Sequence, residues 1–199
     1  MYLTNYHRLG FLAILLFFVF NNPAHSQDSK TNLVGVTVLA ELVPYNPISP
    51  SVGFVFERRF TKRSGLQIGT YYRAVERDYY IDVTYPDGSR VYNSYSVRES
   101  YLTFPILYRY YTKALTLSVG PFVEGFVGWD QISTDEVEVT DYEVNPSVTF
   151  GPILKVSKPF SIGKNLSIEP ELRFGITTRS SEAFYGVGVQ LKQQVAKKN

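Results

Sequence analysis

Two glutamates, Glu169 and Glu171, stand one residue apart in the segment "LSIEPELRFGI". Paired carboxylates of this kind can act as general acid and base or nucleophile in glycoside hydrolysis, if one of them keeps its proton. On an extended strand they share a face about 7 Å apart. Arg173 is the next residue on that face, so a neutralised ion network is the plainer reading. A second acidic cluster, "DQISTDEVEVTDYEVN", holds Asp130, Asp135, Glu136, Glu138, Asp141 and Glu143 without a base. It lacks the ligand spacing of a calcium loop and reads as a solvated acidic loop. The sequence contains two histidines, His7 and His25, and no cysteine. Both histidines lie in the first 26 residues, so the rest of the chain has no histidine acid–base pair and no thiolate or imidazole for a transition metal. No catalytic residue, metal site or cofactor is expected.

The N-terminus explains why those first residues stand apart. Arg8 precedes the ten-residue apolar run Phe11 to Phe20, and Ala24 and Ser26 place small residues before a cleavage point at Gln27. The run is short of the about 20 apolar residues that a membrane-spanning helix needs. Residues 1–26 are therefore expected to be a cleaved signal peptide and 27–199 one domain. Of the 20 Lys and Arg only Arg8 falls in the leader, so the remaining 173 residues carry 19 bases against 18 acids. That balance gives no reason to expect nucleic acid as a partner.

From residue 27 onward, stretches of two-residue alternation replace any long helical period. Eight strands are predicted, near 32–43, 51–61, 65–85, 89–111, 114–130, 146–158, 166–178 and 183–194. Short basic turns ("TKRS", "TK", "PFSIGKN") alternate with the longer "PYNPISP" and acidic 131–145 connections. In the stretch 101–111, "YLTFPILYRYY", one face carries Leu102, Phe104, Ile106, Tyr108 and Tyr110, and the other Tyr101, Thr103, Pro105, Leu107 and Arg109. The same division recurs in the other strands, with charge gathered on one face beside Gly, Ser and Thr. An even strand number, short turns at one rim and longer loops at the other describe an eight-stranded antiparallel up-and-down transmembrane β-barrel, apolar side outward. A soluble ligand-binding barrel would bury the apolar side instead. Small residues on the charged face, and Tyr108, Tyr110, Trp129, Tyr185 and Phe54 near strand ends as aromatic girdles, favour the membrane form in the outer membrane.

"YLTFPILYRYY" and the following "LTLSVGPFVEGFVG" resemble the PorT-like outer-membrane β-barrel family of Bacteroidetes-type bacteria, within the wider porin family. The matching positions are Tyr101, Leu102, Pro105, Leu107, Gly120 and Pro121, and the Gly-Pro element returns at Gly151 and Pro152. The resemblance implies an eight-stranded barrel with an outer-membrane address and supplies no catalytic residue. Where many outer-membrane strands end the chain on an aromatic, this chain continues past Leu191 as "KQQVAKKN".

Six bases (Arg59, Arg73, Arg109, Lys155, Arg173, Lys192) and five acids (Glu41, Glu57, Glu124, Glu169, Glu171) are predicted to face inward. A barrel of this size is just wide enough for side chains to fill it, so a salt-bridged plug is expected, with a narrow pore for small solutes as the alternative. The third and fourth strands exceed the 9–11 residues a membrane strand requires. Their apolar parity also changes, from even at Leu66, Ile68 and Tyr72 to odd at Tyr79, Ile81, Val83 and Tyr85. Paired bulges or a change of surroundings would explain that. Beyond it, a hairpin closing at Pro86-Asp87-Gly88 carries Tyr79, Tyr80, Tyr85, Tyr92 and Tyr95, a candidate surface for an envelope protein partner. Pro121, Pro152 and Pro170 fall mid-strand and are expected to need local bulges. The whole reads as a monomeric, non-enzymatic barrel with outer-membrane lipids around it and both termini periplasmic.

Overall fold

Alternating side chains on every strand leave one apolar face to cover, and closure of the sheet into a ring settles where it goes. The computed structural model describes residues 31–43, 47–84, 86–132, 142–178 and 183–195, with the backbone alone for 81–84 and 91–93. The expected signal peptide, Tyr85, residues 133–141 of the acidic loop and the tail from Ala196 lie outside the described residues. The strands are β1 (Asn32–Leu42), β2 (Ser49–Arg59), β3 (Ser64–Thr84), β4 (Arg90–Tyr111), β5 (Thr116–Gln131), β6 (Val148–Ser157), β7 (Phe160–Ser161), β8 (Leu166–Ile176) and β9 (Ala183–Val195).

Neighbours in sequence pair antiparallel, and β9 returns to β1 from Leu42↔Tyr185 to Asn32↔Val195. The two-residue β7 pairs with β8 at Phe160↔Ile168, in step with the β6 pair Ser157↔Glu171. β6 and β7 are therefore one strand, split where Lys158 and Pro159 interrupt the ladder, and the ring has eight members. The β9 ladder also carries the chain past Leu191, so Lys192 remains a strand residue with its side chain inside.

Three short turns close one rim. In two of them a threonine organises the backbone: Thr61 Oγ1 accepts from the amides of Arg63 and Ser64 at 3.0 Å each, and Thr112 Oγ1 from Ala114 at 3.2 Å and Leu115 at 3.0 Å. At the other rim β3 and β4 run on together to the 86–89 turn. There Asp87 accepts from the Ser89 amide at 2.9 Å, and Gly88 takes φ +83°, a conformation that suits glycine.

The apolar side faces outward. Val38, Phe54, Ile106, Phe150 and Tyr185 are exposed, whereas Glu57, Arg109 and Gln190 are wholly buried in the interior. No bulge accompanies the change of apolar parity on β3 and β4. Their register is continuous from Ser64↔Tyr110 to Thr84↔Arg90, and the odd-numbered side chains that are described, from Gln67 to Tyr79 on β3 and from Tyr95 to Tyr111 on β4, point inward. Polarity changes, not geometry: Val75 and Val97 are buried inside the upper hairpin while Asp78 and Arg98 face out. That is the order expected where the outer solvent becomes water.

The prolines are accommodated without bulges. Pro121 lies opposite Pro152 in the β5–β6 ladder. The pairs missing from the adjoining ladders are those where the absent amide hydrogens would point, to β4 at Ile106 and to β8 at Ile176. The register is the same on both sides of each gap, and Thr178 N bonds to Phe150 O at 3.0 Å beyond Pro152. A Cβ on Gly120 would lie 1.9 Å from the Ile106 carbonyl oxygen, and one on Gly151 1.8 Å from that of Ile176. Each Gly-Pro element thus lets the neighbouring strand's carbonyl into space that a side chain would fill. Pro170 stands opposite Lys158, at the break made by Pro159, and accepts from the Lys158 amide at 3.2 Å. Among the described residues the one register shift lies between Ser100 and Tyr101 on β4, opposite an extra residue at Val127 on β5.

Candidate functional site: the charged lumen

All eleven charged residues expected inside are inside, and they fall into two chains of ion pairs. Nearer the short-turn rim, Glu57 on β2 accepts from Arg59 at 3.0 Å, from Lys192 at 2.6 Å and from Arg109. Arg109 and Lys192 also reach Glu169. Tyr111 donates to Glu57 at 2.7 Å, with the Arg59 guanidinium 4.5 Å above its ring, and Ser157 donates to Glu169 at 2.5 Å.

The second chain climbs the barrel. Lys155 lies 3.0 Å from Glu171, and Arg173 reaches Glu171 at 2.8 Å and Glu41 at 3.3 Å. Arg73 connects Glu41 at 3.6 Å to Glu124 at 2.7 Å, and Thr103 donates to Glu124 at 2.8 Å. Lys155 also donates to Gln67 at 2.6 Å, and Gln67 to Gln190 at 3.0 Å. Between the chains lie buried polar side chains such as Thr37, Ser118 and Thr149 and two apolar clusters, Val43, Leu107, Phe122, Ile153 and Phe184 in one and Leu39, Val55 and Tyr71 in the other.

This arrangement has consequences for chemistry. Glu169 and Glu171 belong to different chains, and each is held by two bases, so neither is placed to serve as a proton donor. Among the described residues no group of three Asp, Glu, His or Cys side chains is placed to hold a metal ion.

Above the two chains lies a third cluster that the sequence reading missed. Glu99 accepts from Arg77 at 2.8 Å, from Tyr101 at 2.6 Å and from Tyr142, which comes from the 142–147 segment before β6. The Tyr142 hydroxyl also lies 2.6 Å from that of Tyr79, and its ring packs 5.4 Å from Trp129. Continuing the odd parity of β4 upward from Arg109 would have reached Glu99. The supposed slip of parity concealed it. Tyr79 stacks on Tyr95 with ring centroids 5.3 Å apart, so both belong to this inner cluster, whereas Tyr80 is 82% exposed. The Tyr92 side chain and Tyr85 lie outside the described residues.

Residues 40–128 match the family model of the outer membrane protein β-barrel domain. OprG of Pseudomonas aeruginosa, an outer membrane protein, superposes with a TM-score of 0.52 at 10% identity, over 86% of this chain and 99% of that one. The chain is an outer-membrane β-barrel. Ail of Yersinia pestis, an attachment invasion locus protein, superposes with a TM-score of 0.46 at 7% identity over 85% and 100% of the two chains. No curated protein matches the sequence.

In an outer-membrane barrel the exposed apolar wall faces lipid, and the soluble ligand-binding form is excluded. The even residues Leu102 to Tyr110 on β4 mark the membrane band, which leaves Glu99 and the upper hairpin above it, on the long-loop side. Tyr108, Tyr110 and Tyr185 are exposed on the wall near its two edges, as girdle residues should be. Two other expected girdle residues are placed differently. Phe54 lies mid-strand on β2, and Trp129 pairs with Glu99 and faces inward because the extra residue at Val127 reverses parity above it.

Proposed function

We propose that this barrel is a non-enzymatic, monomeric component of the outer membrane whose lumen is closed and whose protruding hairpin engages an envelope protein. The observation that carries this is the density of the interior. Eleven charged side chains pair across the lumen between clusters of Leu, Ile, Phe and Tyr, in a barrel of a size that side chains can fill. A barrel without a conducting path works through its surfaces. The hairpin of β3 and β4 extends above the membrane band, and its outer side presents Tyr80. A PorT-like role fits the Tyr101, Leu102, Pro105 and Leu107 strand and the two Gly-Pro elements. The narrow-pore alternative would require Arg109 to leave two carboxylates.

A photo-crosslinking residue at Tyr80 in intact cells tests the hairpin. Irradiation is expected to yield one discrete protein adduct, which excess barrel lacking the crosslinker competes away. Adducts to lipid alone, or none, would contradict the partner-binding reading.

A further inference from the structure

The short-turn rim carries a charge the lumen does not use. Arg58, Lys62, Arg63, Lys113 and Lys164 are exposed there, and none of the five has an ion-pair partner among the described residues. The stretches 58–66, 110–118 and 158–168 contain no Asp or Glu, whereas the opposite rim has Glu76, Asp78, Asp130 and Glu143. Short turns mark the periplasmic rim of such barrels. Five unpaired bases therefore stand at the level of the periplasmic leaflet's headgroups.

The wall directly above them is not smooth. A groove of about 730 Å³ crosses β9, β1, β2 and β3, lined by Val34, Val36, Phe54, Phe56, Ile68 and Leu191. In the register, Val34, Phe56 and Ile68 form one outward row, with Val36 and Phe54 in the row above. Arg58 faces outward two residues below Phe56, about 7 Å down the same strand. Lys164 belongs to the turn leading into Leu166, which also lines the groove, and Lys62 and Arg63 to the turn joining β2 and β3.

We infer that this groove and the basic rim form one site for an anionic phospholipid of the periplasmic leaflet, the acyl chain lying in the groove and the phosphate meeting Arg58 and Lys164. Charge complementarity selects the occupant. An apolar slot alone would take any chain, but unpaired bases at its open end favour a headgroup with net negative charge over a zwitterionic one. Arginine adds a planar fork of donors suited to phosphate oxygens.

Native mass spectrometry of the full barrel tests this, with dioleoyl phosphatidylglycerol and dioleoyl phosphatidylcholine compared as probes. The first should be retained about fivefold more than the second. Arg58→Gln with Lys164→Gln should bring the ratio close to one, while Arg98→Gln on the opposite rim leaves it unchanged. Val36→Trp, which fills the groove, should weaken retention of both lipids. The heat-dependent gel shift verifies that each variant has folded. Equal retention of the two lipids, or loss with Arg98→Gln as large as with the rim pair, would overturn the site. So would competition by glycerophosphoglycerol as effective as that by the intact lipid, since the groove would then contribute nothing. A dimer that Val36→Trp dissociates would assign the groove to a second copy of the chain instead.

Discussion

Glu57 and Glu169 are bridged twice, by Arg109 from β4 and by Lys192 from β9. Each base touches both acids, so the four side chains close a loop across the lumen. Removing Arg109 leaves Lys192 as the one base bridging the two buried carboxylates, with Arg59 still on Glu57. Arg109→Met should therefore destabilise the folded barrel by about 3–5 kcal/mol, the cost of breaking a buried pair from one side. Arg109→Met combined with Glu169→Gln should recover part of that loss. Urea unfolding in lipid vesicles provides the comparison, and an equal loss in the single and double variants would show that the loop is not the cause.

The facing Gly-Pro elements make a second test. Gly120→Ala and Gly151→Ala each drive a methyl group against a neighbouring backbone carbonyl, whereas a Cβ on Gly128 would meet nothing within 4 Å. The first two should each cost about 1–3 kcal/mol, typical of forced overpacking, and Gly128→Ala should be near neutral. Similar unfolding midpoints for all three would contradict the close approach of Ile106 and Ile176 to these glycines.

Inside and outside are tested by neighbours on β6. Leu154 is exposed on the lipid-facing wall and Thr149 is buried in the lumen. Leu154→Arg should cost about 2–4 kcal/mol if it lies near the bilayer midplane, and Thr149→Ser much less. Equal tolerance of the two by the folding barrel would reverse the assignment of faces.

How much of this was legible in the sequence follows from what period-two alternation encodes. Alternation reports which side of a strand meets a different medium, so the strands, the lipid wall and the inward Glu169, Glu171 and Arg173 could be read directly. It does not distinguish a slip of register from a change of medium. Paired bulges and a change of surroundings therefore read alike on the upper hairpin; β3 and β4 pair in a single register, which leaves the change of surroundings, and the shift in apolar parity hides Glu99. Conversely, the real extra residue at Val127 lies in the segment "FVGW", where no polar partner marks the reversal, so alternation alone sets Trp129 on the outer wall. The prolines suggest bulges in sequence because their accommodation lies on another strand. Nothing near Gly120 in sequence reveals that the Ile106 carbonyl occupies its side-chain space.

Acid should release the upper cluster. Burial raises the Glu99 carboxyl, but hydrogen bonds from Tyr101, Tyr142 and Arg77, with the Arg77 charge, outweigh it and hold the group below its ordinary range. A depressed carboxylate contributes stability that is complete above the unfolded value, about 4.3, and is lost as pH falls through the lower folded value. Trp129, the only tryptophan in the chain, packs on Tyr142 and reports the contact. Its emission should change only at strongly acid pH, and Tyr142→Phe, which removes one donor, should move that change to higher pH. An unchanged midpoint in Tyr142→Phe would detach Glu99 from the event.

Conductance of the purified barrel in planar bilayers tests the closed lumen most directly. If paired charges and packed clusters fill the lumen as proposed, the unmodified protein should show no steady conductance, or only brief, small openings. Replacing Arg109 by a small neutral residue frees volume and takes a partner from Glu57 and Glu169, and replacing Arg173 does the same to Glu41 and Glu171, so any conductance gained should favour cations. Steady single-channel steps from the unmodified protein, reproducible across preparations, would contradict the closed lumen and establish a narrow pore in its place.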